Sequence, residues 1–383
     1  MRRQRSSRIA SVCPELRLLL ASLESGPKGP LGNDDSLDQR IDWSRFSKLL
    51  ARHRVLVAVC AQLQASDHWR VIDPAIRSEL TQARNRITLT QMKAVAELLA
   101  VASRFEQEEI PYLSLKGPIV SQLIYGDPVK REFNDLDLLV RERDLARAVN
   151  LLGGFGFEIL DKPLWDLILS GNARPPSLYH IHLRKGTVLI ELHWKLSRNE
   201  ALMPFTDDQL WASRRQVQIS GRSVAIPGAR ELLAYLDIHG SSHCWNRLKW
   251  LWDSHQLSQA TTEPYPCEAS RIRSRLAGRF WRSESGDDTH PEPPRSVSSW
   301  RERFCIEQIL AEEGYPGRAT NMARRSLFVC SLYASLRQKT GYVLQLLLWP
   351  NAYEKVTLPP WLRGLYFILG PALWLRERVL LRR

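Results

Sequence analysis

The sequence contains no CxxC pair, no uninterrupted apolar run long enough to span a membrane, and no internal repeat. The six cysteines (Cys13, Cys60, Cys244, Cys267, Cys305, Cys330) are widely and irregularly spaced. That spacing argues against a thiolate zinc site and fits reduced structural cysteines in a cytoplasmic protein. The opening MRRQRSSRIASVCPELRLLL is basic and then weakly apolar, and Pro14, Glu15 and Arg17 interrupt the apolar core that a signal peptide needs. No KH or RRM signature is present, so no RNA-binding module is recognisable. Acid is in deficit: 41 Asp and Glu stand against 54 Lys and Arg, a formal net charge of +13. This balance favours anionic partners, whether nucleotide phosphates, nucleic acid or an acidic membrane surface, without choosing among them. Apolar residues make up 44 % of the 383 positions and 13 are Trp. A chain of this length and composition can build a substantial core in two or three lobes.

Residues 25–43, rich in Gly, Asp, Ser and Pro, read as a loop. Helical patterning runs from Trp43 to about Gln64. Asp73-Pro74 then reads as an N-cap with Pro in the first turn. Pro74 to about Glu109 is either one long helix or two with a break near Thr88–Thr90. The character changes at Ile110. IPYLSL reads as a short strand entering the turn Lys116-Gly117, residues 118–125 as a short helix, YGDPVKREFN as a loop and LDLLV (136–140) as a strand. A helix follows from Arg141 to about Leu152, then a strand at 179–184, a turn at Lys185-Gly186, and a second strand, TVLIELHW. A hairpin is expected around Ser220-Gly221, a helix from Ala229 to about Leu257, and further helices at 301–312 and 320–337. The polar, Pro-rich segment 281–299 reads as a linker or surface loop. The expected fold class is α+β. A mixed-sheet core at 110–228 lies between predominantly helical regions at 1–109 and 229–383.

The chemistry is concentrated in two strings. In KREFNDLDLLV, strand phase puts Asp135 and Asp137 on one face and Leu136 and Leu138 on the other. Two acids so placed repel unless a cation sits between them, and Mg²⁺ is the natural hard partner for carboxylate oxygens. In TVLIELHW, Leu189, Glu191 and His193 share one face, while Ile190, Leu192 and Trp194 share the other. An acid between bulky apolar neighbours is costly without a partner. If this strand lies beside 136–140, Glu191 completes a three-carboxylate cluster suited to phosphoryl-group chemistry. Taken alone, a DxD pair is common on surfaces, and a lone Glu191 is more often structural.

The string LSLKGPIVSQLIYGDPVKREFNDLDLLV, followed some fifty residues on by IELHW, closely resembles a family of uncharacterised bacterial nucleotidyltransferases. That family belongs to the DNA polymerase beta-like superfamily, and its genes often lie beside those for peptide natural products or surface polysaccharides. The resemblance spans roughly residues 95–260. It implies metal-binding aspartates at Asp135 and Asp137, a third carboxylate at Glu191, Mg²⁺ or Mn²⁺ as the metal, and a nucleoside triphosphate such as ATP as substrate. The superfamily's phosphate turn is Gly-Ser, and Lys116-Gly117-Pro118 stands there instead. The resemblance therefore implies backbone contact at Gly117 and charge from Lys116, without the hydroxyl. Gly117 permits close approach of backbone to phosphate, and the helix after Pro118 would point its N-terminus at the anion. Lys116 reads equally as a solvated lysine. Arg131 reads either as a triphosphate contact or as a brace for the acidic loop.

His193 is expected to orient Glu191 or to touch phosphate or metal. His180, His182 and His193 could mimic a zinc set, but no fourth ligand is evident. The segment YLDIHGSSHCWNRLKWLWD also resembles the family, with His239, Arg247, Lys249 and Asp253 as its polar members. Arg247 or Lys249 is expected to reach nucleotide phosphate, and Trp245, Trp250 and Trp252 to pack. The expected reaction moves a nucleoside monophosphate onto a hydroxyl-bearing small molecule, sugar, peptide or protein, with pyrophosphate leaving. The alternatives are a toxin-like transferase acting on RNA or protein, with RNA the weaker candidate, and a degenerate nucleotide-binding scaffold. The tail WLRGLYFILGPALWLRERVLLRR reads either as helices packed on the body or as a contact with an anionic membrane surface. The latter would make a cytoplasmic protein peripheral at the inner membrane face.

Overall fold

The computed structural model describes residues 13–24, 41–169, 178–281, 299–311, 319–347, 356 and 358–376. Most of the expected loop at 25–43, most of the linker at 281–299 and the terminal arginines lie outside them. The helices are α1 (Pro14–Glu24), α2 (Trp43–His53), α3 (Leu56–Gln64), α4 (His68–Val71), α5 (Pro74–Gln107), α6 (Pro118–Tyr125), α7 (Leu145–Gly154), α8 (Lys162–Leu169), α9 (Asp207–Ala212), α10 (Ala229–Ser242), α11 (Leu248–Gln259), α12 (Glu268–Phe280), α13 (Trp300–Leu310), α14 (Ala319–Leu332), α15 (Leu336–Leu347) and α16 (Tyr366–Leu375). The strands are β1 (Tyr112–Ser114), β2 (Leu136–Val140), β3 (Glu158–Ile159), β4 (His180–Lys185), β5 (Val188–His193), β6 (Arg215–Ile219) and β7 (Arg222–Ile226). The five-stranded sheet runs β1-β2-β5-β4-β3, and β6-β7 form a separate hairpin. The protein is thus an α+β fold with a mixed central sheet between helical regions, an architecture of nucleotidyltransferase type.

Three expected single helices are each two. The helix from Trp43 breaks at Arg54, where a left-handed residue lets Val55 N–H bond back to Leu50 O at 3.2 Å and turns Val55 and Leu56 inward. The helix from Ala229 breaks after Ser242. Cys244 and Trp245 adopt positive φ there and fold the Trp245 indole back onto Gly240. A Cβ at Gly240 would lie 2.3 Å from that ring, so only glycine admits the contact. The stretch 320–337 breaks between Leu332 and Leu336. Pro74–Gln107 does form one helix, 34 residues long, with Asp73 accepting from Ala75 N–H at 2.7 Å as its cap.

Two large apolar cores result among the described residues, beside a small cluster of Tyr366 with Leu358 and Leu373. One packs the sheet against α6, α7, α10 and Val95–Phe105 of α5. The other joins α1, α2 and α3 to α11, α12, α13 and α14. The N- and C-terminal helices therefore share a core across more than 200 residues of sequence. Helix α5 serves both, with Leu80 in the helical core and its C-terminal half under the sheet. All six cysteines are free thiols. Among the described residues no helix is long and apolar enough to cross a membrane.

Candidate active site

The site lies on one face of the sheet where β2 and β5 run side by side. They pair in parallel, with Asp137 opposite Glu191 and Leu139 opposite His193. β4 pairs antiparallel on the other side of β5, with His180 opposite His193 and His182 opposite Glu191. Alternation sends the acids and imidazoles to one face and Leu136, Leu138, Ile190 and Leu192 into the core. The strand order thus assembles Asp137, Glu191, His193, His180 and His182 from three segments.

Asp137 is fully buried. Its Oδ1 receives Lys116 Nζ at 2.7 Å and His193 Nε2 at 3.3 Å. Burial pushes the Asp137 carboxyl up, but Lys116 and then His193 outweigh it and hold the group below its usual value. Its Oδ2 has no hydrogen-bond partner among the described residues. His193 Nε2 also lies 3.4 Å from Glu191 Oε2. Burial opposes charge on His193, yet the two carboxylates bind its proton tightly enough to raise it above the ordinary value. Asp135, the residue before β2, is half-buried beside the cluster. Burial, followed by the Asp137 charge, raises its carboxyl above the usual range in spite of Lys116.

The flanking histidines differ sharply. His182 bonds Asp161 Oδ2 through Nδ1 at 2.6 Å and lies 3.7 Å from Glu191 Oε1, and these carboxylates raise it to about 10. His180 has no such partner. Burial and the neighbouring His193 charge push it down to about 3, leaving a neutral imidazole whose Nδ1 is unbonded among the described residues. Ligand atoms of His180, Glu191 and His193 all lie within 4.8 Å of one another. The Glu191 carboxylate and the uncharged His180 imidazole, with His193 beside them, form a candidate metal-binding cluster, and the unbonded Asp137 Oδ2 is a buried acceptor on the neighbouring strand.

The turn at Gly117 abuts this cluster. Gly117 has φ +64°, and a Cβ there would meet Asp135 O at 3.3 Å and the Phe133 ring at 3.6 Å. Glycine is thus required both by conformation and by close approach. Lys116 is directed at Asp137 instead of solvent, so the surface-lysine reading does not hold.

The acidic loop before β2 is rigidly held. Gln91 Nε2 donates to Val129 O at 2.7 Å and to Arg131 O at 3.2 Å, and Gln91 Oε1 accepts from Phe133 N–H at 3.2 Å. Ser121 Oγ accepts from Arg131 N–H at 2.8 Å and donates to Asp127 O at 2.6 Å. These two residues escape a motif reading, although a hydroxyl inside the apolar helix PIVSQLIY is itself a signal of a buried polar contact.

Of the two readings of Arg131 the structure favours the brace, and the expected phosphate contact of Lys249 is corrected. Arg131 is buried and pairs with buried Asp253, Nε to Oδ2 at 2.7 Å, so it braces the loop against α11. Lys249 is also buried. It donates from Nζ to Glu132 O at 2.9 Å, and burial followed by the Arg131 charge drives it well below its ordinary value. Arg247 begins α11 half-buried, its guanidinium 5.3 Å from the Trp250 ring centre. Trp245 and Trp252 are core residues, while Trp250 packs on His239 and His243. The acid that joins His180 and His193 in one cluster is Glu191, while His182 is held by Asp161.

Residues 39–278 match the sequence pattern of a family described as uncharacterised nucleotidyltransferase. The chain belongs to that family. The uncharacterised nucleotidyltransferases thus account for both the sheet and most of the helical core, from before α2 to α12. No curated protein matches the sequence. Among solved structures, an antigenic nucleotidyltransferase-like protein from Paracoccidioides brasiliensis is similar at 17 % identity and a TM-score of 0.33, over 48 % of this chain and 87 % of that one.

Proposed function

We propose that this protein transfers a nucleoside monophosphate from a nucleoside triphosphate to a hydroxyl-bearing acceptor, in a reaction dependent on Mg²⁺ or Mn²⁺. The observation that carries the reading is the register of Asp137 beside Glu191, with the Gly117 turn against the Asp135 backbone. Asp135, Asp137 and Glu191 would hold the cation, with the neutral His180 adding a nitrogen; His193 would join only on giving up the proton it shares with Asp137 and Glu191. Bound there, the cation would neutralise phosphate charge and make the acceptor hydroxyl easier to deprotonate.

The chain's own groups supply the rest. Backbone at Gly117 and the N-terminus of α6 receive phosphate oxygens. Lys116, which pairs with Asp137 at 2.7 Å, would be close enough to offer its charge to the triphosphate. The acceptor oxygen forms a bond to the α-phosphorus while the bond to the bridging oxygen breaks. Pyrophosphate leaves, and a carboxylate of the trio takes the acceptor's proton. The pinned 127–135 loop keeps the acids in place, so reorganisation during the reaction is small.

The test is incubation with Mn²⁺ and NTP labelled at either the α- or the γ-phosphate, in an extract that supplies acceptors. Label should pass from the α position to an acceptor and not from the γ position, and Asp135→Asn should abolish it. Transfer from the γ position would make the protein a phosphotransferase. Metal-supported NTP binding with no transfer would make it a nucleotide-binding scaffold.

A further inference from the structure

The C-terminal helices break the usual surface rule. Fifteen large hydrophobic side chains are exposed among the described residues, and eight of them lie between Leu327 and Ile368. On α15, Leu336, Val343 and Leu344 recur at spacings of seven and eight, so they share one outward stripe, while Tyr342 faces inward. Leu336 is 79 % exposed. Helix α16 has no charged residue along its ten positions, yet Ile368 is 68 % exposed. Trp361, in the short turn Pro360–Leu365 just before it, is 80 % exposed. Helices α15 and α16 pack on each other, so these side chains belong to one region.

Charge is segregated to the same stretch. Residues 318–383 contain 11 Lys and Arg and two Asp and Glu, which accounts for nine of the chain's thirteen net positive charges. Some of these bases serve the body: Arg324 pairs with Glu307, and Arg325 donates to Ser242 O. Arg337 and Arg376 are exposed beside the apolar stripe and α16. No described helix can cross a bilayer. Short helices with exposed Trp, Leu and Ile and a surplus of base match the requirements of an anionic interface, where apolar tips enter the acyl boundary and cations meet the headgroups.

We infer that the surface formed by α15, the Pro360–Leu365 turn and α16 docks on an anionic lipid bilayer. The charge imbalance selects this occupant. A second copy of the chain would bring the same surplus of base against itself, and a neutral apolar partner would give the bases no role.

The experiment is co-sedimentation of the full chain with phosphatidylglycerol-containing vesicles and with pure phosphatidylcholine vesicles. Binding is expected to the anionic vesicles only, to weaken in 0.5 M salt, and to fall about tenfold in the double variant Leu344→Ser/Trp361→Ser. The variant should keep the wild-type melting temperature and mass in solution. No binding to anionic vesicles, or equal binding to both kinds, overturns the inference. So does a wild-type dimer that the double variant converts to monomer, since the surface is then a contact between copies.

Discussion

The β2–β5 face and the C-terminal helices depart from ordinary protein anatomy in opposite directions. At the first, acids, imidazoles and a lysine are withdrawn from water. At the second, Trp361, Leu336 and Ile368 are left in it. The buried charges are densely cross-bonded: Asp137 alone receives Lys116 and His193. Desolvating such groups is costly unless each finds a partner, so the surrounding loop has to be held in one position. An exposed apolar side chain carries no such requirement, and its neighbours on α15 and α16 are correspondingly plain. Buried polar groups therefore report a constraint inside the fold, whereas exposed apolar ones report a constraint that lies outside it.

The largest expected effect falls on the charged face. Asp135→Asn should reduce nucleotidyl transfer by about a thousandfold or more, as loss of a group that organises transition-state charge does. The same change should raise the melting temperature of the metal-free protein, because it removes the acid that burial and Asp137 already oppose. Calorimetry beside the labelled-phosphate assay separates the two, and a fall in melting temperature would contradict the repulsion argument.

Next is the brace beneath it. Gln91→Leu removes three hydrogen bonds from the 129–133 backbone and strands buried polar groups, each worth about 1–3 kcal/mol when left unpaired. A loss of about 2–4 kcal/mol in denaturant unfolding is expected. A loss well under about 1 kcal/mol would mean that the loop does not depend on this residue.

A third buried polar group tests the helical core. His53 is fully buried and accepts from Leu248 N–H at 3.2 Å, and burial, then the Arg52 charge, pushes it from 6.5 down to about 3. The unfolded chain takes up the proton first as pH falls. Its contribution is thus whole above about 6.5 and is lost on descent towards 3, at up to about 1.4 kcal/mol per pH unit. His53→Gln should flatten that part of the stability–pH curve, and an unchanged slope would assign the acid sensitivity elsewhere.

The smallest effect belongs to the apolar face. Leu344→Ser and Trp361→Ser should each shift unfolding free energy by no more than about 0.5 kcal/mol, the usual range for surface sites. A loss of about 2 kcal/mol or more would show that these side chains pack in the folded body, and would erase the contrast between the two regions.

Much of the fold and of the candidate site is legible in the sequence. The phases of Asp135–Asp137 and of Glu191–His193, the Asp73-Pro74 cap and the strand at 136–140 all follow from local periodicity and stereochemistry. The helix breaks at Arg54 and Cys244–Trp245 are not. They depend on non-glycine residues held at positive φ by contacts made elsewhere, such as Trp245 on Gly240. Helix α12 carries a helical pattern in Ala269, Ile272, Leu276 and Ala277, whereas the two-residue strand β3 is too short to separate from loop without its partner β4.

The sequence by itself determined which side chains share a face, because alternation along a strand is a local property of the backbone. It also determined the charge surplus and the apolar content of the tail. Only the tertiary structure decided which segments became neighbours. It set Asp137 beside Glu191, brought His180 across to His193, turned Lys116 onto Asp137, and buried Arg131 against Asp253 and Lys249 against Glu132 O. The reason is that strand order and register are settled by burial summed over the whole core. Whether a cation meets a phosphate or a carboxylate depends on that distant outcome and not on the residues next to it.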